Sequence, residues 1–566
     1  MPLPPLRGPL LALALAAPAA LPAQEAGPYL AAQAAVAARD FAAAAPLLDQ
    51  ALAASPDNRA LLEPALAGAL ALGDGAAAAA YADRLAAGGQ PSALAGLARL
   101  LARADAGDWT GVLALLDAKE GAGPLVDGLA RGWAAWGAGD AEGALAAFRD
   151  LGGSPGLQAF GLLHEALALA LAGDGEGALA ALARPEASGI AASLPALRLR
   201  AQVLGQLDRT AEARALLDEA APNEPQLAAL RAALEAGPVP FDVVRGPEGG
   251  LALALTQIGA ALGPDADPLT ALLYARAALL LDPARADAAV MAAETLEALG
   301  APDLARAAFA LVPAGDPLFP RAEIGRARVL AAGGEGEAAA EALLALARAR
   351  PGLPEVESAL ADQLRLLDRL PEAEAAYGRA LDLLGGGSWR LLFRRALVRQ
   401  EAGDWPGAEA DLRAALLLAP DEPRLLNHLG YSLVERREKL PEALAMIERA
   451  VAAEPTSGAI VDSLGWAYWR LGRFEEAVAE LERAAALEPT DPVINDHLGD
   501  AYWSVGRTRE ARFQWTRALS LDPEEADAAR IRDKLARGLD AVLAEEAEAP
   551  PETPLTAAGQ GGPGGG

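Results

Sequence analysis

The chain has 566 residues, 53% of them hydrophobic but only 4% aromatic, with a net charge of -29 and no cysteine. The absence of cysteine excludes disulfides, thiolate zinc sites, thiol nucleophiles and a lipid-modified cysteine. So acidic a surface repels phosphate, so neither nucleic acid nor an anionic membrane surface is an expected partner. Ala and Leu dominate and β-branched residues are scarce, which favours helix over sheet.

In chain order, residues 1–23 read as a signal peptide. Arg7 supplies the positive charge, Leu10 to Leu21 is a short apolar run, and Ala23 precedes Gln24 and Glu25 as the cleavage point. The run is shorter than the roughly 20 apolar residues that span a bilayer, and no later segment reads as transmembrane. The expected location is periplasmic. Residues 24–222 read as an N-terminal degenerate array. Asp40–Phe41, Ala44, Ala51 and Pro56 mark its first unit, and the Gly-Asp pairs at Gly73, Gly107, Gly139 and Gly173 recur through it, with Leu207–Asp208 continuing the series. This gives about six helix pairs. Residues 223–250 are a Pro/Gly-rich connector and a candidate hinge. Residues 251–525 form a second, contiguous array, 526–545 a capping helix, and 546–566 a disordered acidic Pro/Gly tail.

The second array shows the period most clearly. Pro420, Pro455, Pro489 and Pro523 stand 34 or 35 residues apart. Within that spacing fall Leu464–Gly465 and Leu498–Gly499, Tyr468 and Tyr502, Gly472 and Gly506, Ala477 and Ala511, Ala484 and Ala518, and Leu481 and Trp515. Small residues at Gly465 and Ala477 suit a close crossing of two helices. Gly after a helix permits a left-handed terminating residue, and Pro ends the unit. The pattern resembles the tetratricopeptide repeat (TPR). The resemblance implies an all-α, right-handed superhelical solenoid of about fourteen helix-turn-helix repeats.

No phosphate loop, H-E-x-x-H or G-x-S-x-G motif is present, so no enzyme activity, cofactor or metal is expected. His164, His428 and His497 are far apart in sequence and read as partly exposed helix residues. In the family the first helix of each repeat lines a concave groove. Its groove-facing positions fall here on Asn427, Tyr431, Asp462, Trp466, Trp469, Asp496, Asp500 and Trp503, the candidate partner-binding residues. Trp466, Trp469 and Trp503 either face the groove as interface anchors or pack against neighbouring helices, and the sequence leaves both readings open. Trp515 is expected in the core, and Trp109, Trp133, Trp136, Trp389 and Trp405 as structural. Acidic groove positions argue against capture of a C-terminal carboxylate.

The run from Asn427 to Leu521, NHLGYSLVER through ARFQWTRAL, resembles long exported TPR proteins of proteobacteria. Some members are adaptors for a periplasmic carboxyl-terminal processing protease. The resemblance implies a non-catalytic protein-binding scaffold in the cell envelope that presents substrates to such a protease, with proteins or peptides as partners. This sequence lacks the lipid-acceptor cysteine of those relatives, so no lipid anchor is expected. The alternative is an assembly factor for an envelope export or outer-membrane complex, and neighbouring genes would separate the two.

Overall fold

The computed structural model describes residues 26–548 apart from 90–91, 155, 221–223, 238 and 263–265, and all regular structure among them is helical. The segment expected as a signal peptide, and the tail beyond residue 548, lie outside the described residues. No described helix is long and apolar enough to cross a membrane.

The recurring Gly-Asp pairs explain the hairpins. Gly73 takes the left-handed conformation (φ 80°) that closes the helix Arg59–Leu72. Asp74 then accepts a hydrogen bond from the Ala77 amide at 2.9 Å and so caps the helix Gly75–Ala87. Asp108, Asp140, Asp174 and Asp404 cap their helices the same way. At Leu207–Asp208 the register slips: Asp208 itself takes the left-handed position, with φ 58°, and does not cap.

The chain divides into two compact units between Gly334 and Glu335, between the helices Phe319–Ala332 and Gly336–Ala349.

The first unit opens with six helix hairpins among the described residues, from Ala26–Ala37 and Phe41–Ala54 to Leu194–Gln206 and Thr210–Ala220. Residues 224–237 and 239–250 are bonded into this unit. Its helix Pro225–Ala236 buries Leu227, Leu230 and Leu234 in a small core with Leu197, Ala201 and Leu217. The backbone after it buries Val243 and Val244, while Asp242 accepts from Gln202 (2.6 Å) and Arg198 (3.0 Å).

The next pair, Pro247–Ala261 and Pro268–Leu281, does more than extend the row. Helix 247–261 packs against the first helices Pro124–Gly137 and Gln158–Leu171, and helix 268–281 against Arg59–Leu72 and Ala93–Asp105. Its composition permits this: Leu251, Ala252, Leu253, Ala254 and Leu255 are consecutive and all buried, so the helix 247–261 is apolar all round. A Cβ on Gly250 would stand 2.3 Å from the Trp133 ring, which is why that position has no side chain. Arg276 donates from Nε to the Ala71 carbonyl at 2.9 Å, and Arg39 pairs with Asp267 at 3.0 Å. Trp133 lies edge-on to Phe148 and His164. It donates from its indole nitrogen to His164 Nδ1 at 2.9 Å, and His164 Nε2 meets Gln257 Oε1 at 3.1 Å. His164 is therefore a core residue, contrary to the partly exposed position its sequence suggests.

The second unit stacks helix hairpins from Pro354–Leu366 and Leu370–Leu383 to Pro492–Ser504 and Thr508–Leu519. Successive first helices touch, as Pro423–Glu435 does Gly458–Arg470 and the latter Pro492–Ser504. The second helices bury only one stripe, such as Ala477, Val478, Leu481 and Ala484 in Phe474–Leu487. The first helices thus form the inner wall. A Cβ on Gly465 would meet Leu481 at 2.6 Å, and one on Gly499 would meet Trp515 at 2.4 Å, so the small residues do mark the crossing points. In place of one capping helix, residues 525–548 form two, Glu525–Arg537 and Leu539–Glu548. They break at Gly538, whose φ of 86° ends the first.

Candidate inner-wall interface of the second unit

The eight residues singled out from the sequence all lie on first helices of the second unit, but they split into two groups. Asp462, Trp466, Trp469, Asp496 and Asp500 are buried. Trp466 stacks on Trp469 (centroids 4.5 Å apart, planes at 5°) and on His497 (4.0 Å, 13°). The Trp466 indole donates to Glu435 and the Trp469 indole to Ser504 Oγ at 2.9 Å. His497 pairs with Asp462 at 2.9 Å. Burial opposes charge on His497, but Asp462, helped by Asp496 and Asp500, outweighs it and holds the imidazole above its ordinary value. These rings pack between helices and present no open surface to a partner. The cause is the close approach of successive first helices, which fills the inner wall with its own side chains. His497, like His164, is buried and not partly exposed.

Asp496 and Asp500 face the C-terminal helix. Lys534, fully buried, donates to Asp496 at 2.7 Å and to Asp500 at 2.7 and 2.8 Å. Asp500 also accepts from the Trp515 indole at 2.9 Å. Desolvation raises the Asp500 pKa even against the pull of Lys534. Trp503 is half-buried, tilted on Trp515 at 5.4 Å, and donates to Asp540 at 3.1 Å. Trp515 is in the core, as expected.

Asn427 and Tyr431 form the second group. They sit one turn apart on helix 423–435, and Tyr431 is half-buried. Asn427 is buried, and its Oδ1 has no hydrogen-bond partner among the described residues. Burial, with Glu435 and Asp462 adding to it, pushes the Tyr431 hydroxyl well above its usual pKa, so it remains a donor. Sequence reasoning missed their neighbours. His428 meets Gln400 at 3.0 Å and stands edge-on to Phe393 at 5.3 Å. Phe393, Leu397 and Gln400 are half-buried on the preceding first helix, Trp389–Glu401. Burial lowers His428 to about 4, so it is neutral near pH 7. The signal for Phe393 and Leu397 was available: they stand 34 residues before Asn427 and Tyr431, at the same helical positions.

Among the described residues no group of three His, Cys, Asp or Glu could hold a metal ion. A cleft of about 390 Å³ in the first unit carries Arg198, Arg285, Asp242 and Asp287, whose charges are paired within it.

Family models described as tetratricopeptide repeats match residues 393–458 and 465–506. Residues 393–458 and 465–506 therefore carry tetratricopeptide repeats. A TPR repeat-containing protein of Pseudomonas aeruginosa is 36% identical over 83 residues, which is 15% of this chain and 14% of that relative. The chain therefore matches about one seventh of that relative's length. Among solved structures, the APC/C hetero-tetramer Cut9–Hcn1 is similar at 16% identity over 91% of this chain and 97% of that chain, with a TM-score of 0.38. A TPR protein of Thermus thermophilus is 25% identical over 33% of this chain and 99% of its own, with a TM-score of 0.28. The pilus biogenesis factor PilW is 22% identical over 34% and 91%, with a TM-score of 0.30.

Proposed function

We propose that the protein is an exported, non-catalytic adaptor of the cell envelope. In this reading the inner wall of its second unit holds a polypeptide for a periplasmic carboxyl-terminal processing protease. The observation that carries polypeptide binding is the strip Phe393, Leu397, Gln400, Asn427 and Tyr431. It is partly exposed, and it contains a phenol donor and a buried amide oxygen that no described side chain satisfies. An extended backbone offers both a donor and an acceptor to such a pair. An aromatic beside fixed polar groups is what interface anchors use. The adaptor role and the envelope location rest on the leader-like residues 1–23 and on the resemblance of Asn427 to Leu521 to exported adaptors.

Purified chain is mixed with the processing protease of its own genome and that protease's substrates, and cleavage is followed by gel. Cleavage is expected to accelerate at least tenfold with the wild-type chain and to return to the basal rate with Tyr431→Ala. Exposed Phe513→Ala, on the helix Thr508–Leu519, serves as the control that leaves the acceleration intact. Acceleration that survives Tyr431→Ala, or none at all, rejects the proposal.

A further inference from the structure

The helix Glu525–Arg537 is held in an unusual way. It buries only Ala528, Ile531 and Lys534, so its apolar anchorage is slight. Its main attachment is ionic. Lys534 Nζ is fully buried between Asp496 and Asp500. Arg530, one turn earlier, lies 3.7 Å from Asp496 and 3.6 Å from Asp500. The two aspartates are themselves one turn apart, so a pair of cations at i and i+4 faces a pair of anions at i and i+4. The match is incomplete: Asp496 Oδ1 is buried without a hydrogen-bond partner. An ammonium has three donors and Lys534 places all its contacts on three other oxygens, whereas a guanidinium carries five.

We propose that this end of the inner wall is a receptor for a partner helix with two cationic side chains one turn apart, and that the chain's own helix Glu525–Arg537 is its occupant in cis. The inference rests on the reading that the second unit binds polypeptide, and it names the chemistry of the segment bound. The preferred partner carries Arg where the chain has Lys534, because the guanidinium reaches the unsatisfied oxygen of Asp496. The chain's net charge of -29 draws such a segment in. The two C-terminal helices bury only Ala528, Ile531, Leu539 and Val542 as apolar anchors, which lets them leave while the hairpins beneath stay folded. Binding is then an exchange of one cationic helix for another, and the cis helix sets the affinity threshold a partner must exceed.

The test uses the full chain and a fluorescent peptide with the sequence of residues 525–537 carrying Lys534→Arg. Fluorescence anisotropy is measured on wild type, on Lys534→Met, and on Lys534→Met combined with Asp496→Asn and Asp500→Asn. The single variant leaves the acidic pair without its cis cation and is expected to bind at least tenfold tighter than wild type. The triple variant is expected not to bind. A peptide with Gln at both cationic positions is expected not to bind any of the three. Hydrogen exchange should show residues 525–548 losing protection when the cationic peptide is added.

Equal affinity for the single and triple variants, or no binding to either, overturns the proposal. If circular dichroism shows Lys534→Met unfolded, Arg530→Met replaces it, with a gain of at least threefold over wild type expected and no gain counting against. Cationic-helix binding without any Tyr431 dependence of cleavage overturns the adaptor reading alone. Tyr431-dependent cleavage without cationic-helix binding overturns this inference alone.

Discussion

Both units are built of helix hairpins, and they treat their inner walls differently. In the first, the hairpin 247–281 lies against four first helices, and Trp133, His164, Gln257 and Arg276 tie it down. In the second, the wall is open at Phe393, Leu397 and Tyr431 and is covered further along by a helix with two buried apolar residues and a buried lysine. A repeat pattern therefore does not by itself show which groove is free. The difference lies in the polarity of what covers the wall. An apolar helix such as 247–261 belongs to the core permanently, whereas a helix held by charge can be exchanged for another.

The largest expected effect tests whether the first groove is permanently filled. Trp133→Ala empties a fully buried site and should cost about 3–5 kcal/mol in chemical denaturation. Hydrogen exchange should show helices 124–137 and 247–261 losing protection together. If helix 247–261 keeps its protection, the two are not one core and the contrast between the units fails.

The pH response sharpens the contrast, since the two buried histidines carry opposite signs. Desolvation lowers His164 to about 4, against about 6.5 in an unfolded chain. The unfolded state then binds more protons between those values, so stability is full above pH 6.5 and falls as pH drops toward 4. The loss should approach about 3 kcal/mol. Protonation would also place a hydrogen on Nδ1, where the Trp133 indole now donates. His497 is shifted upward by Asp462, so its contribution is present below pH 6.5 and lost as pH rises through its folded value. Denaturation of His164→Gln should therefore show a flatter acid limb than wild type. His497→Gln should lose more stability at pH 5.5 than at pH 9. The same pH slope for both variants would contradict this assignment.

The smallest effect concerns a single buried bond. Arg276→Met keeps the aliphatic stem but removes the donor to the Ala71 carbonyl, and should cost about 1–3 kcal/mol. The loss should appear as faster exchange in helices 59–72 and 268–281, with the second unit unchanged.

Much of this was legible in the residues. The Gly-Asp pairs predicted the hairpin turns because a left-handed residue followed by an N-cap is a local device that needs no distant partner. The spacing of Gly465, Ala477, Leu481 and Pro489 gave the helix pairs and their crossing for the same reason. The candidate site was legible only in part. Helical positions selected Asn427 and Tyr431 on a first helix, but the same rule selected Trp466, Trp469 and Asp500, which are consumed by His497, Ser504 and Lys534. Those partners lie 31 to 35 residues away, and no local pattern announces them.

The sequence by itself determined the helices, their turns and their pairing, because those depend on propensity, capping and contacts within one repeat. Only the tertiary structure decided which inner wall is filled. That depends on where the hairpin 247–281 comes to rest against residues up to 228 positions earlier, and on whether a buried lysine finds its two aspartates.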